Sequence, residues 1–150
     1  MPKLIRDIMK IGVPICNRYT RLPEVARILA LENADAVIVM DEFGACGVVS
    51  QTDLVRAYSR NYELLTAEDA MTEKIIEVAP EAPITAAANL MSEERVHQLF
   101  LMHTHPGPSR PSAVVTMRAI VREMGGLEPD KPQNNLTPKV SKNTKKMNSE

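Results

Sequence analysis

The sequence predicts an α+β protein, in the broad α/β class, built from two tandem copies of one β-α-β-β-α unit. The first observation is an internal repeat: displacing the 150-residue chain by 62 residues aligns Asp7 with Asp69. The same displacement aligns the apolar residues 37–40 with the apolar residues 99–102. The second observation is that apolar residues recur at helical spacing ahead of both runs. The third is that each run has strand length and precedes turn residues and a second apolar run.

Each unit opens with a short helical lead-in, over residues 5–9 and 67–71, followed by an extended stretch. An amphipathic helix comes next, because apolar side chains occupy positions i, i+3, i+4 and i+7 and so share one face. These side chains are Leu22, Val25, Ala26 and Leu29 in the first unit and Ile84, Ala87, Ala88 and Met91 in the second.

The two apolar runs predict strands that are buried on both faces, since no polar residue alternates within them. A turn follows the first run at residues 41–44, and a loop with several prolines, residues 103–111, follows the second. Second strands are predicted at residues 47–50 and 113–116, and each leads directly into a final helix. The extra length of the loop raises the displacement between the units from 62 to 66 residues beyond it.

The chain divides into a first repeat at residues 1–62, a second at 63–124 and a tail at 125–150. The tail contains lysines, prolines and asparagines, lacks aromatic residues and has few apolar ones. Because such a composition buries little apolar surface, we expect a flexible polar tail.

Composition argues against several functional classes. A formal net charge of −1 and 3% aromatic residues disfavour nucleic-acid binding, which needs cationic surfaces or stacking platforms. The two cysteines form neither a disulfide framework nor a CxxC zinc pair, and we expect no metal site. We expect no membrane association, because the apolar runs are too short to cross a bilayer and the N-terminus lacks a signal-like segment. The expected location is the reducing cytoplasm.

Two motifs mark the repeats. Residues 69–72, Asp-Ala-Met-Thr, open the second repeat, and residues 47–53, Gly-Val-Val-Ser-Gln-Thr-Asp, join a strand to a helix. In this β-α-β-β-α order, over residues 4–124, the chain resembles the CBS (cystathionine β-synthase) domain family, and its two copies resemble a Bateman module. The resemblance implies two CBS repeats packed sheet to sheet about a pseudo-two-fold axis, with two clefts between them. It also implies binding of adenosine-containing ligands, frequent homodimers and no catalysis.

The physics of the second motif supports a ligand site. Ser50 ends a strand and Asp53 lies in the first turn of the following helix, where unpaired N–H groups and the helix dipole favour anions. A carboxylate at this position can accept both hydroxyls of a ribose. The alternative is that Ser50 or Thr52 caps the helix and Asp53 complements the dipole.

In the family, the cleft beside this carboxylate is completed by the other repeat. The resemblance implies that His97 and Arg118 face Asp53 across the cleft and contact phosphates. Gln98 stands where related proteins often carry Arg, which weakens the expected grip on a highly charged ATP. The ligand-binding residues implied are Val48, Ser50, Asp53, Ile75, Ile76, His97, Gln98 and Arg118.

The second repeat departs from the motif, because Ala119 stands at the position of Asp53. We expect a second cleft formed by Thr116, Ala119 and residues 13–15. It lacks the carboxylate and does not hold ribose in the same way.

The expected function is that of a stand-alone regulatory or sensor protein with an AMP-, ADP- or ATP-like ligand and no obligatory cofactor. It is expected to form a homodimer and to act on a protein partner in trans. The alternatives are a ligand-free dimerisation or interaction scaffold, and a sensor of S-adenosylmethionine or an NAD-type ligand. Catalysis is not expected: Ser50, His97 and Asp53 have the residue types of a triad, but no nucleophile elbow surrounds them.

Overall fold

The computed structural model describes residues 3–103 and 106–130. Two three-stranded sheets face each other, and helices cover their outer faces. The strands are β1 (Lys10–Ile11), β2 (Ile15–Asn17), β3 (Ala36–Asp41), β4 (Gly44–Ser50), β5 (Gln98–His103) and β6 (Arg110–Thr116). The helices are α1 (Leu22–Glu32), α2 (Gln51–Ala57), α3 (Ala67–Ala70), α4 (Ile84–Glu94) and α5 (Met117–Met124), with 3-10 turns at Ile5–Asp7 and Tyr62–Leu64.

The sheets have the strand orders β2-β3-β4 and β1-β6-β5. In the first sheet β2 is parallel to β3, and β3 and β4 form an antiparallel hairpin. The second sheet contains the equivalent hairpin of β5 and β6. A single parallel bridge between Glu77 and Phe100 stands in the place of the β2–β3 pairing. The architecture confirms the predicted α+β class and the order of the two units.

In the structure each lead-in extends further than predicted, over residues 5–11 and 67–72, and pairs with the hairpin of the other repeat. Lys10 of β1 is the partner of Val114 on β6, and Thr72 bridges Val48 on β4. These pairings are equivalent under the repeat displacements, in agreement with the pseudo-two-fold relation that the family resemblance implies. The boundaries at 62 and 63 therefore describe the sequence repeat, whereas the two folded halves interlock.

The core consists of three apolar clusters in layers. Strand alternation places Val37 and Val39 of β3 against α1 and α2, and Ala36 and Ile38 against the opposite sheet. Phe100 of β5 meets Ala36 and Ile38 in the layer between the sheets. The apolar run in β3 is continuous because both faces of the strand are buried, as predicted.

The outer clusters contain the exchanged lead-ins. Ile5, which is fully buried, belongs to the cluster of α4 and the β5–β6 hairpin. Ala67, also fully buried, belongs to the cluster of α1 and the β3–β4 hairpin. Each half thus completes its core with a residue from the other repeat.

The second strands begin earlier than predicted, at Gly44 and Arg110 rather than at residues 47 and 113. A bulge between Val39 and Met40 in one hairpin, and between Leu101 and Met102 in the other, lets pairing continue past it. The segments beyond the bulges contain Gly, Ala, Pro and Ser, whose low strand propensity hid them in the sequence.

The tip of the first hairpin touches the loop of the second. The Ala45 N–H donates to the Ser109 carbonyl over 2.9 Å, and Gly44 forms a parallel bridge with Ser109. Gly44 has φ +117°, and a Cβ there would lie 2.8 Å from the Ser109 nitrogen. The position therefore requires glycine on both conformational and steric grounds.

The beginning of the predicted flexible tail has defined contacts. After α5 the chain turns back, and the Leu127 N–H donates to the Arg122 carbonyl over 2.9 Å. Residues 125–130 are therefore placed against α5. The rest of the predicted tail, 131–150, lies outside the described residues. In the described part of the chain, none of the helices is long and apolar enough to cross a bilayer.

The exchanged lead-in makes a direct prediction for stability. Ile5→Ala should lower the free energy of unfolding by about 2–5 kcal/mol, because it opens a cavity in the core of the opposite half. Ile11→Ala is the matched control, since Ile11 lies in the same lead-in but is 71% exposed; it should change stability by less than about 0.5 kcal/mol. Urea denaturation measures both, and equal losses would contradict the interlocked core.

Candidate functional site

A cavity of about 380 Å³ lies between β4 and α2 of the first repeat and two segments of the second repeat. We call it the Asp53 cleft. The second repeat contributes residues around Lys74 and Ile76 and those at the junction of α4 and β5. Six of the eight residues expected for ligand binding line this cavity: Val48, Ser50, Asp53, Ile76, His97 and Gln98.

The other two expected residues lie elsewhere. Ile75 packs into the cluster between the sheets, and Ile76 takes the position in the cavity wall. Arg118 lies in a different cavity, so the expectation that it faces Asp53 is wrong. The reason is that Arg118 is the repeat equivalent of Thr52, and therefore lies beside the cleft of its own helix.

Asp53 has two structural contacts that explain its position. Its Oδ2 accepts from the Ser50 N–H over 2.9 Å and from the Ser50 hydroxyl over 3.0 Å. The Asp53 N–H lies 3.3 Å from the Ser50 Oγ, which completes a reciprocal cap at the start of α2. The capping role weighed in the sequence analysis is thus present.

The cap leaves part of the Asp53 carboxylate for a ligand. Oδ1 has a long contact of 3.5 Å to Nη1 of Arg56, and the side chain is 12% exposed where it lines the cavity. An ionised carboxylate has about four acceptor positions, and the cap uses two of them on Oδ2. Capping and ligand binding are therefore compatible at this residue.

The sequence analysis did not assign three cationic side chains that line the Asp53 cleft: Arg56, Lys74 and Arg95. Arg56 lies one turn after Asp53 on α2, and that i, i+3 spacing was the signal that could have found it. Lys74 follows the exchanged lead-in, and its Nζ lies 2.9 Å from Oε1 of Glu94. Only the crossing of that lead-in to the other repeat brings Lys74 to Asp53.

Part of the wall of the Asp53 cleft is apolar. Val48, Ile76 and Phe100 form this wall, and Phe100 is 1% exposed. Gln98 also lines the cleft, from β5, and at 7% exposure it is the one buried polar residue in the described ranges. A side-chain amide offers both donors and an acceptor, as recognition of the edge of a nucleobase requires.

A second cavity, of about 490 Å³, is related to the first by the repeat, and we call it the Arg118 cleft. Thr116 caps α5 by accepting from the Ala119 N–H over 3.1 Å, but Ala119 supplies no carboxylate. Asp35 stands at the position equivalent to His97. The absence of the motif carboxylate from this cleft agrees with the sequence analysis.

The expected contribution of residues 13–15 to the Arg118 cleft is wrong. The first repeat contributes Ile8, Met9 and Lys10 instead, because its lead-in crosses to β6. Val13 packs between the sheets.

The family model of the CBS domain matches two segments of the chain, residues 5–60 and 67–126. The chain belongs to the CBS domain family. Both repeats are matched, so the protein contains a CBS pair of the Bateman type. Comparison with curated protein sequences finds no match.

Solved structures share the fold of this CBS pair. The CBS domain pair of protein MJ0100, in complex with 5′-methylthioadenosine and S-adenosyl-L-methionine, superposes with a TM-score of 0.74 at 24% identity. The match covers 84% of this chain and 98% of that chain. The CBS-domain-containing protein ATU1752 from Agrobacterium tumefaciens gives 0.71 at 16% identity, covering 81% and 98%. A hexameric CBS-CP12 protein from bloom-forming cyanobacteria gives 0.70 at 16% identity, covering 81% and 71%.

The glycine of the CBS motif has a packing role here. A Cβ at Gly47 would lie 2.5 Å from Sδ of Met71 and 3.1 Å from the Thr72 carbonyl oxygen. Met71 and Thr72 belong to the lead-in that crosses from the second repeat. Gly47 therefore allows the exchanged segment to approach β4, and so holds one wall of the Asp53 cleft in place.

The described residues contain no group of three or more His, Cys, Asp or Glu side chains suited to a metal ion. Of the three histidines, His97 lines the Asp53 cleft and His103 ends β5, whereas His105 lies outside the described residues.

Proposed function

We propose that this CBS pair is a regulatory sensor that binds an adenosine-containing ligand of the AMP, ADP or ATP kind in the Asp53 cleft. The observation that carries the proposal is the composition of this one cavity at the junction of the repeats. It combines a carboxylate for ribose, an apolar wall with a buried amide for the base, and three cationic side chains for phosphate.

The cations favour a phosphate-bearing ligand. Arg56, Lys74 and Arg95 stand against Asp53 and Glu94, so the cleft has an excess of positive charge. Arg pairs with phosphate through two parallel hydrogen bonds, and Lys acts as a point charge. These side chains offset the loss of the Arg that Gln98 replaces.

A sensor of S-adenosylmethionine or of an NAD-type molecule is the second candidate. The observation in its favour is the similar fold of the MJ0100 pair, whose structure contains two adenosine compounds. The positive sulfonium of S-adenosylmethionine is disfavoured by the cations of the cleft, whereas an NAD-type pyrophosphate is not. The alternative to a sensor is a scaffold that binds no ligand and only supplies a surface for dimerisation or protein interaction.

The regulatory effect of the sensor depends on how ligand binding is coupled to a conformational or association equilibrium. A ligand shifts the protein towards whichever state binds it more tightly. We propose that the two states differ in how the chain associates with a second copy or with a protein partner in trans. We place this function in the reducing cytoplasm, in keeping with the free thiols of Cys16 and Cys46.

Thermal melting tests the site directly. AMP at 100 times its dissociation constant should add about 2.7 kcal/mol to the stability of the protein. Asp53→Ala should weaken AMP binding about 10- to 150-fold, because a hydrogen bond to a charged group contributes about 1.5–3 kcal/mol. A panel with ADP, ATP, S-adenosylmethionine and NADH identifies the preferred ligand.

The control for this test is Asp69→Ala. Asp69 forms the same kind of cap, since its Oδ2 accepts from the Thr66 N–H over 2.8 Å, but it lies outside the Asp53 cleft. Both variants should lose about 0.5–2 kcal/mol of stability through the cap. If Asp53→Ala and Asp69→Ala bind AMP equally well, the site assignment is wrong; if no panel member raises the melting temperature, the scaffold is favoured.

A second variant separates phosphate from nucleoside recognition. Lys74→Ala should weaken AMP binding about tenfold and adenosine binding little, because the Lys74 ammonium lines the cleft and attracts a phosphate, which adenosine lacks. Arg118→Ala, a cationic residue of the other cleft, should leave tight AMP binding unchanged. Titration calorimetry measures both. Equal losses of AMP and adenosine affinity in Lys74→Ala would show that Lys74 does not serve the phosphate.

We also propose that the chain forms a homodimer through α2 and α5. These equivalent helices expose a row of apolar side chains, whereas a soluble monomer rarely exposes large apolar patches. Val55 on α2 and Tyr58, which directly follows this helix, are 75% and 72% exposed. Met117, Val121 and Met124 follow helical spacing on α5 and are 48%, 64% and 80% exposed.

Analytical ultracentrifugation tests the dimer. The unmodified chain should sediment as a dimer at micromolar concentration, and Val121→Glu should give a monomer, because it places a charge in the apolar interface. Phe43→Glu is the control: Phe43 is 82% exposed but lies at the β3–β4 turn. A monomeric unmodified chain, or equal dissociation by both variants, would contradict this interface.

A further inference from the structure

A segment that follows α5 lines the Arg118 cleft, whereas no equivalent described segment after α2 lines the Asp53 cleft. Residues after α5 turn back along the helix, and Pro129 and Asp130 line the cavity. The segment is fixed at two points before it reaches the cleft. The Leu127 N–H donates to the Arg122 carbonyl over 2.9 Å, and Nε of Arg122 donates to the Glu128 carbonyl over 2.7 Å.

The carboxylate of Asp130 bridges two arginines at the cleft. Nε of Arg118 donates to its Oδ2 over 2.5 Å, and Nε of Arg122 lies 3.3 Å from its Oδ1. The Arg118 guanidinium holds the pKa of the Asp130 carboxyl below its usual value, while partial desolvation acts in the opposite direction. Asp130 is therefore ionised at neutral pH, and the pairing weakens only as the pH falls through the lowered pKa of this carboxyl.

The repeat shows what Asp130 replaces. Arg122 is the equivalent of Arg56, which lies 3.5 Å from the Asp53 carboxylate on its own helix. Ala119 removes that partner from the second repeat, and Asp130 supplies a carboxylate to Arg122 from the chain beyond the helix. The second cleft thus has a carboxylate at Arg122, but on the segment that follows α5 rather than on the helix itself.

We propose that residues 127–130 are an autoinhibitory plug: Asp130 occupies an anion site formed by Arg118 and Arg122 in the second cleft, and a phosphate-bearing ligand displaces it. With Asp130 removed, Lys10, Arg118 and Arg122 face the single carboxylate of Asp35. That excess of positive charge suits a di- or trivalent phosphate better than the single charge of an aspartate.

The exposure of the ion pair fits a displaceable contact. The Arg118 and Asp130 side chains are 69% and 46% exposed, and exposed ion pairs contribute little and are screened by salt. Binding of the phosphate in the cleft therefore competes with a weak intramolecular contact. Ligand occupancy becomes coupled to release of the segment that follows α5, which the Asp53 cleft does not do.

Inorganic pyrophosphate at low ionic strength is the probe, with the full chain and titration calorimetry. Asp130→Asn should bind it about three- to tenfold more tightly than the unmodified chain, because the fraction of open clefts rises. Glu128→Gln makes the same charge change in the same segment, but only the backbone carbonyl of Glu128 contacts Arg122. It should stay within about twofold of the unmodified chain. Adding Arg118→Ala to Asp130→Asn should abolish the gain.

Amide hydrogen exchange at Leu127 gives the second readout. Pyrophosphate should speed exchange of this amide in the unmodified chain, and Asp130→Asn should speed it without any ligand. The proposal is overturned if Asp130→Asn shows no gain in affinity, if the gain persists without Arg118, or if pyrophosphate slows Leu127 exchange. Arg118 lines this cleft and not the Asp53 cleft, so its substitution tells the two sites apart. Failure of the plug proposal would therefore leave the proposal of AMP binding at Asp53 intact, and failure of AMP binding at Asp53 would leave the plug proposal intact.

Discussion

The exchange of lead-ins between the two repeats is the constraint on which the rest of the structure depends. Ile5 and Ala67 each complete the core of the opposite half. The same exchange brings Thr72 to β4 and Lys10 to β6, and so builds one wall of each cleft. Without the crossing, Thr72 and Lys74 would not line the Asp53 cleft, and Ile8, Met9 and Lys10 would not line the Arg118 cleft. The fold and the candidate sites therefore have a common cause.

Much of this could be predicted from the sequence, because the repeat displays its signals locally. Helical spacing, continuous apolar runs and the Gly47–Asp53 motif depend on neighbours within one unit, and they predicted the element order, the α+β class and three cleft residues. The other three, Ile76, His97 and Gln98, were implied by the resemblance to the CBS family. The errors arose where the determinant lies far away in the chain. Arg118 and residues 13–15 were assigned to the wrong walls because sequence alignment within a repeat does not show which segments cross. Asp130 was hidden for a similar reason, since a polar tail composition says nothing about two arginines one helix earlier.

The two clefts show how one substitution redirects a duplicated site. Position 53 keeps its carboxylate and caps its helix, whereas Ala119 leaves the cap to Thr116 alone. With Ala119 in place of a carboxylate on its own helix, Arg122 pairs with Asp130 from the segment after α5, whereas the equivalent Arg56 pairs with Asp53. The backbone is pseudo-symmetric because the apolar layers of the core stabilise both halves. The two sites nevertheless differ chemically, because only a few side chains determine the chemistry of each cleft.

Asp53 both caps the start of α2 and lines the cleft, so a ligand that binds its carboxylate also contacts the residue that stabilises this helix end. One oxygen of the Asp53 carboxylate accepts from the Ser50 N–H and hydroxyl, and the side chain also lines the cavity. The same short helix carries the exposed Val55 and is followed directly by the exposed Tyr58. Coupling of this kind is reciprocal by thermodynamic necessity. If a ligand on Asp53 alters how firmly α2 is held, a protein that grips the outer face of α2 must alter the affinity for that ligand by the same factor. The strength of self-association and the concentration at which the cleft fills are then two measurements of one free energy.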